Sequence, residues 1–71
     1  MTSEEIELLK CYDKIRKSIK SSTNKMHIDV CSTMIGYFVV RFSSLKEVDY
    51  YENNLLNSMN EQMQKLHLII I

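Results

Sequence analysis

Proline is absent from the 71 residues and glycine occurs once, at Gly36. The two strongest breakers of regular structure are therefore nearly missing, and long uninterrupted helices are permitted. Cysteine is limited to Cys11 and Cys31, too few for the disulfide frameworks that hold small secreted domains together, so reduced thiols and a cytoplasmic location are expected. Net charge is missing as well. Nine acidic and nine basic residues cancel, which leaves no global field to draw the chain onto nucleic acid or an anionic membrane. The longest apolar run, Met34 to Val40, is closed by Arg41 and falls far short of the roughly 20 residues of a membrane span. The acidic start Met-Thr-Ser-Glu-Glu-Ile-Glu, with no apolar segment behind it, is unlike a signal peptide.

What is present is 45% hydrophobic and 25% charged residues, the composition of a folded chain rather than a disordered tail. A single helical domain spanning residues 1–71 is the expected organisation. It lies near the lower size limit for a self-sufficient core, where natural chains add a disulfide, a metal, a second copy or a partner.

Thr2 and Glu5 have the spacing of a capping box, which predicts a helix from residue 3. Leu8, Tyr12, Ile15 and Ile19 recur at spacings of four, three and four, a stripe on one face that Leu9 and Cys11 widen. Acidic Glu4, Glu5 and Glu7 open this segment and Lys14, Arg16, Lys17 and Lys20 close it, complementing the helix dipole. The polar cluster Ser21 to Asn24 ends it near residue 20. The last third carries the longest pattern: Val48, Tyr51, Leu55, Met59, Met63, Leu66 and Ile70 make a stripe along a helix over residues 46–69. Ser44 with Glu47 offers a second capping box at its start, and Glu61 with Lys65 a favourable i,i+4 pair.

The middle admits two readings. As a helix over 26–43, Met26, Val30, Met34, Tyr37 and Arg41 or Val40 align, and Ile35, Phe38 and Phe42 make it apolar nearly all round, as suits a central helix. As strands, Met26, Ile28 and Val30 alternate with polar neighbours and Ile35 to Phe42 is rich in β-branched and aromatic residues. The connection at Ser32-Thr33-Met34 lacks the Asn-Gly or Asp-Gly chemistry of short hairpins. The expected fold is accordingly all-α, a small helical hairpin or three-helix arrangement with the last two helices antiparallel. The alternative is an α-β-β-α fold with a hairpin over 26–42.

Chemical sites are sparse. His27 and Cys31, four apart, with Cys11 and His67 could make a tetrahedral zinc set, but they are scattered over three segments and lack paired Cys-x-x-Cys clusters. His27, Asp29 and Ser32 resemble a hydrolytic set only in composition, since i and i+2 positions point to different faces of a helix. No catalysis, metal or cofactor is expected. The run Lys14, Arg16, Lys17, Lys20, Lys25 could touch phosphates, yet has no interleaved aromatic platform. A small phage- or plasmid-type regulator binding nucleic acid or another protein is the alternative function it would serve. The apolar residues carry more information: Met26, Met34, Met59 and Met63 with the terminal Leu68-Ile69-Ile70-Ile71 exceed what a helix pair hides, which points to a protein partner, with self-association beside it and neither nucleic acid nor membrane.

The stretch Tyr50-Tyr51-Glu52-Asn53-Asn54-Leu55-Leu56-Asn57-Ser58-Met59-Asn60-Glu61-Gln62, followed by Leu68 to Ile71, resembles the second helix of the small type III secretion co-chaperones, the YscE and SsaE-like (EscE-type) family. The resemblance implies a helical hairpin in a bacterial cytosol that joins a helical-repeat chaperone to keep the needle subunit soluble before export. It also implies that Tyr51, Leu55, Met59, Met63, Leu66 and Ile70 form the hairpin seam or the partner face. Length agrees with that family, and the match covers about the last third of the chain.

Overall fold

A computed structural model of the chain describes residues 2–66, and these form three helices with no strand among them. The helices are α1 (Ser3–Lys20), α2 (Lys25–Arg41) and α3 (Val48–Lys65). The fold is the expected all-α one, in its three-helix form.

Local chemistry sets most of the ends. Thr2 closes the predicted capping box: its Oγ1 accepts from the Glu5 backbone N–H at 3.1 Å, and the Glu5 carboxylate accepts from the Thr2 N–H at 3.2 Å. Asn24 caps α2, its side-chain oxygen accepting from the His27 N–H at 3.0 Å, which satisfies an otherwise orphaned donor. The β-hairpin over 26–42 does not form, because Ser32-Thr33-Met34 lies in mid-helix and Thr33 Oγ1 turns back to donate to the Asp29 carbonyl at 3.2 Å. The start of α3 departs from expectation. Ser44 does not cap it; Glu47 stands at the N-cap with no side-chain bond. Phe42 and Val48 must both enter the core, so the chain between them is used in consecutive turns, Leu45 N–H to Phe42 carbonyl at 3.0 Å and Val48 N–H to Leu45 carbonyl at 3.3 Å, and Ser44 is spent within them. Leu66 follows α3 as its C-cap; residues 67–69 of the expected helix lie outside the described residues. Glu61 and Lys65 form no ion pair among the described residues.

Each helix packs on both others. Cross-contacts give their directions. Tyr12 of α1 stacks on Tyr51 near the start of α3, with ring centroids 4.9 Å apart, and Ser22 just past α1 meets Gln62 near the end of α3. α1 and α3 are therefore parallel. Arg41 at the end of α2 reaches Glu7 near the start of α1, so α2 runs antiparallel to both, and the expected antiparallel pairing of the last two helices holds.

The core is Leu8, Ile15 and Ile19 from α1, Cys31, Ile35 and Phe38 from α2, Phe42 from the turn, and Val48 and Leu55 from α3, all buried. The α1 stripe and the part of the α3 stripe from Val48 to Met59 face inward as their spacing predicts. In α2 the inward face is Ile28, Cys31, Ile35 and Phe38, continued by Phe42, at spacings of three, four, three and four. Of the stripe read from the sequence, Met26, Val30, Met34, Tyr37 and Arg41 or Val40, the residues Met26, Val30, Tyr37 and Val40 lie on the other side, whereas Met34 packs partly against the core. α2 is not enclosed, because a three-helix bundle gives each helix two neighbours, which cover about half its circumference.

One buried polar group joins all three helices. Ser22 Oγ donates to the Ser18 carbonyl at 2.9 Å and lies 3.5 Å from Cys31 Sγ, while the Ser22 carbonyl accepts from Gln62 Nε2 at 2.7 Å. The end of α1 thus satisfies a carbonyl that would otherwise lack a partner.

Gly36 is exposed within α2, and a methyl group there would meet nothing within 4 Å. Gly36→Ala is expected to stabilise the chain by about 0.5–1 kcal/mol, because alanine loses less backbone entropy in a helix. Urea denaturation reads this directly, and a loss of stability would contradict an open helical position.

Candidate partner-binding site

α2 carries two apolar faces, and only one is used inside the chain. On the outward face Met26, Val30, Tyr37 and Val40 are 73%, 55%, 74% and 74% exposed. Their spacings of four, seven and three keep them on one side of the helix over about 21 Å at 1.5 Å per residue. Met34 lies at the edge of this stripe, half-buried against the core, and links outward face to interior. Other exposed large apolar residues are dispersed: Ile6 on α1, and Tyr50 and Leu56 on different faces of α3. Such isolated residues are ordinary on a protein surface, whereas a continuous stripe is not.

The residues assigned to the seam or partner face fall mainly within the chain. Leu55 has no exposed surface. Tyr51 and Met59 are partly buried against the core, and Tyr51 is held between Tyr12 and Tyr50, the latter at 5.2 Å edge to face. Met63 and Leu66 are half-buried toward the end of α3. Ile70 lies outside the described residues, as does the rest of the aliphatic end. Leu55 thus serves the interior, and a side chain so placed cannot meet a partner unless the helices part. The sequence pattern does not single out Ile28 and Cys31 as the inward face of α2, and of the outward set it names Met26, but not Val30, Tyr37 or Val40, among the residues that point to a partner. The clue to the outward set was the pair of interleaved periodicities in one helix, more apolar surface than two neighbours can cover.

The scattered zinc set is not assembled. Cys31 is buried beside Ser22, and Cys11 lies by Arg41, with its sulfur 3.8 Å from a guanidinium nitrogen. Ten residues of α2, about 15 Å, separate those two levels. His67 is outside the described residues, and no group of three or more His, Cys, Asp or Glu that could hold a metal occurs among the described ones. His27, Asp29 and Ser32 are all exposed, and the His27 ring faces Thr23 at 3.4 Å. No helix of the described residues is long and apolar enough to cross a membrane.

The basic run is divided. Asp13 holds Arg16 and Lys17, each at 3.0 Å, and hydrogen bonds from Lys17 and then Arg16 hold its carboxyl below the usual aspartate range. Lys14, Lys20 and Lys25 enter no ion pair among the described residues. Glu5 is likewise lowered, chiefly by the Thr2 backbone N–H of the capping box. Both carboxyls are depressed in the folded state, so their contribution to stability is complete above their ordinary range and disappears as pH falls through the depressed folded values. Acidification is therefore expected to loosen α1, and Asp13→Asn to flatten the acid limb of the stability curve. Amide exchange along α1 at stepped pH checks this; an unchanged acid slope in the variant would refute it.

Comparison with protein-family models, with curated proteins and with solved structures returned no match.

Proposed function

We propose that this chain is a non-catalytic protein-binding module that docks its partner on the outward face of α2, and that its task is that of a small co-chaperone. One observation carries the reading: a stripe of Met26, Val30, Tyr37 and Val40, each more than half exposed, on a helix whose opposite face already supplies the core. A stable fold does not need these residues, and methionine and tyrosine are suited to contact with a partner, the first by its adaptability and the second as an anchor.

The finer reading is a co-chaperone of a bacterial type III secretion system, helping a helical-repeat chaperone keep the needle subunit soluble before export. It is supported by the resemblance of residues 50–62 to that family, and by the small all-α build. α1 adds Leu8, Ile15 and Ile19 to the core, so the fold is a three-helix bundle where the resemblance implies a hairpin, and the partner face moves from α3 to α2.

The test is Tyr37→Asp combined with Val40→Asp. Both positions are solvent-exposed, so helicity should persist and stability should change by roughly 1 kcal/mol or less. Co-purification with a co-expressed type III helical-repeat chaperone should fall about 30-fold or more, equivalent to losing about 2 kcal/mol of a hot spot. Undiminished capture by the folded double variant would remove α2 from the interface.

A further inference from the structure

We propose that the element received by this face is an amphipathic helix bearing carboxylates along the edge that meets α1, seated in the groove between α1 and α2. This deepens the docking role given above to the outward face of α2 and rests on it.

The groove consists of two adjoining depressions of about 260 and 200 Å³ that share Met34. Val30 lines one and Tyr37 the other, so the middle of the apolar stripe, with Met34, lies on its α2 wall and Met26 and Val40 continue the stripe outside it. The polar part of the lining includes Lys14, Arg41 and His27 and not one carboxylate. Lys14 enters no ion pair among the described residues. Arg41 meets Glu7 at 2.9 Å, but both side chains are more than half exposed, and such a surface pair contributes only about 0–1 kcal/mol. An arriving carboxylate can therefore share the guanidinium, which already lies 5.1 Å over the Phe42 ring at that end of the groove. An apolar floor lined by cations and by no carboxylate, with Glu7 standing exposed on the far side of Arg41's pair, selects a partner of the complementary pattern. Four turns of stripe match anchors at i, i+4, i+7 and i+11 of a helix.

A second copy of this chain does not supply that pattern. Pairing α2 antiparallel with its copy sets the edge holding Arg41 against the edge holding His27, with no acid on either. The exposed side of α3 carries Asp49 and Glu61 with Asn53, Asn57 and Asn60, and its exposed apolar residues, Tyr50 and Leu56, stand on different faces and form no stripe.

The experiment uses the full chain and two labelled synthetic helical peptides of about 18 residues, some 27 Å of helix. They share one leucine stripe and differ only in carrying glutamates or lysines beside it. Fluorescence anisotropy gives affinity, and methyl chemical shifts of Met34 and Val30 give the place. The glutamate peptide is expected to bind about tenfold or more tighter at low salt, with the advantage shrinking as salt screens it. Lys14→Glu with Arg41→Gln, both at exposed sites, should erase the preference while leaving the helical signal intact. Equal binding of both peptides at these methyls would overturn the charge assignment and keep the docking face. No binding by either would remove both. Concentration-dependent dimerisation in sedimentation, abolished by Tyr37→Asp, would make a second copy the occupant and also overturn the proposal.

Discussion

Leu55→Asp is expected to unfold the protein. Leu55 is fully buried at the meeting of the three helices. Truncating such a leucine to alanine costs about 2–5 kcal/mol, and placing an unpaired carboxylate in the same space adds the desolvation of a charge. A chain of this length has a total stability of roughly 4–10 kcal/mol at 0.05–0.15 kcal/mol per residue, so little or nothing remains. Circular dichroism at 222 nm should show most of the helix lost at room temperature; a cooperative melt within a few degrees of the parent would refute the three-helix core. Loss of partner capture by this variant would therefore report unfolding and not a broken contact. Tyr37 and Val40, which the fold can spare, are the positions where loss of capture is informative.

Phe42→Ala should have the next largest effect, although Phe42 lies outside any helix. The ring is 1% exposed and tilts against Phe38 at 5.3 Å between centroids. Its N–H closes the end of α2 on the Phe38 carbonyl at 3.1 Å. Removing it opens a cavity where α2 turns toward α3, at a cost of about 3–5 kcal/mol. In a domain of this size that lowers Tm by at least about 12 °C. Differential scanning calorimetry reads the shift, and a change of only one or two degrees would show that the turn is not anchored through this ring.

The parts of the fold legible in the sequence are those decided within a few residues. Thr2 and Glu5 signal the start of α1 because both partners of the capping box are three apart. The Leu8, Ile15 and Ile19 stripe names its own buried face because the other side of α1 is charged. α3 reads equally well through Val48 and Leu55. α2 does not, because apolar residues recur with helical spacing on two sides, and which side turns inward depends on the other helices. That ambiguity hid the surface stripe, and it also let a hairpin reading stand beside the helix. The Ser22 junction was illegible for a different reason: its acceptor and its donor, Gln62, are 40 positions apart, and neither residue type announces the bond. The long α3 stripe suggested a partner face because it was the most regular apolar pattern, yet much of that regularity serves the interior.

The shared direction of α1 and α3 has an effect at the scale of the whole molecule. Their opening turns bring Glu4, Glu5 and Asp49 to one end, and their closing turns bring Lys17, Lys20 and Lys65 to the other, adding to two aligned peptide dipoles that the lone opposing helix only partly offsets. A molecule of zero net charge is then a short bar with unlike poles. It should adhere to both anion and cation exchangers in dilute buffer, and in concentrated solution neighbours should attract end to end, an effect that fades once ions shorten the screening distance to about 10 Å near 0.1 M.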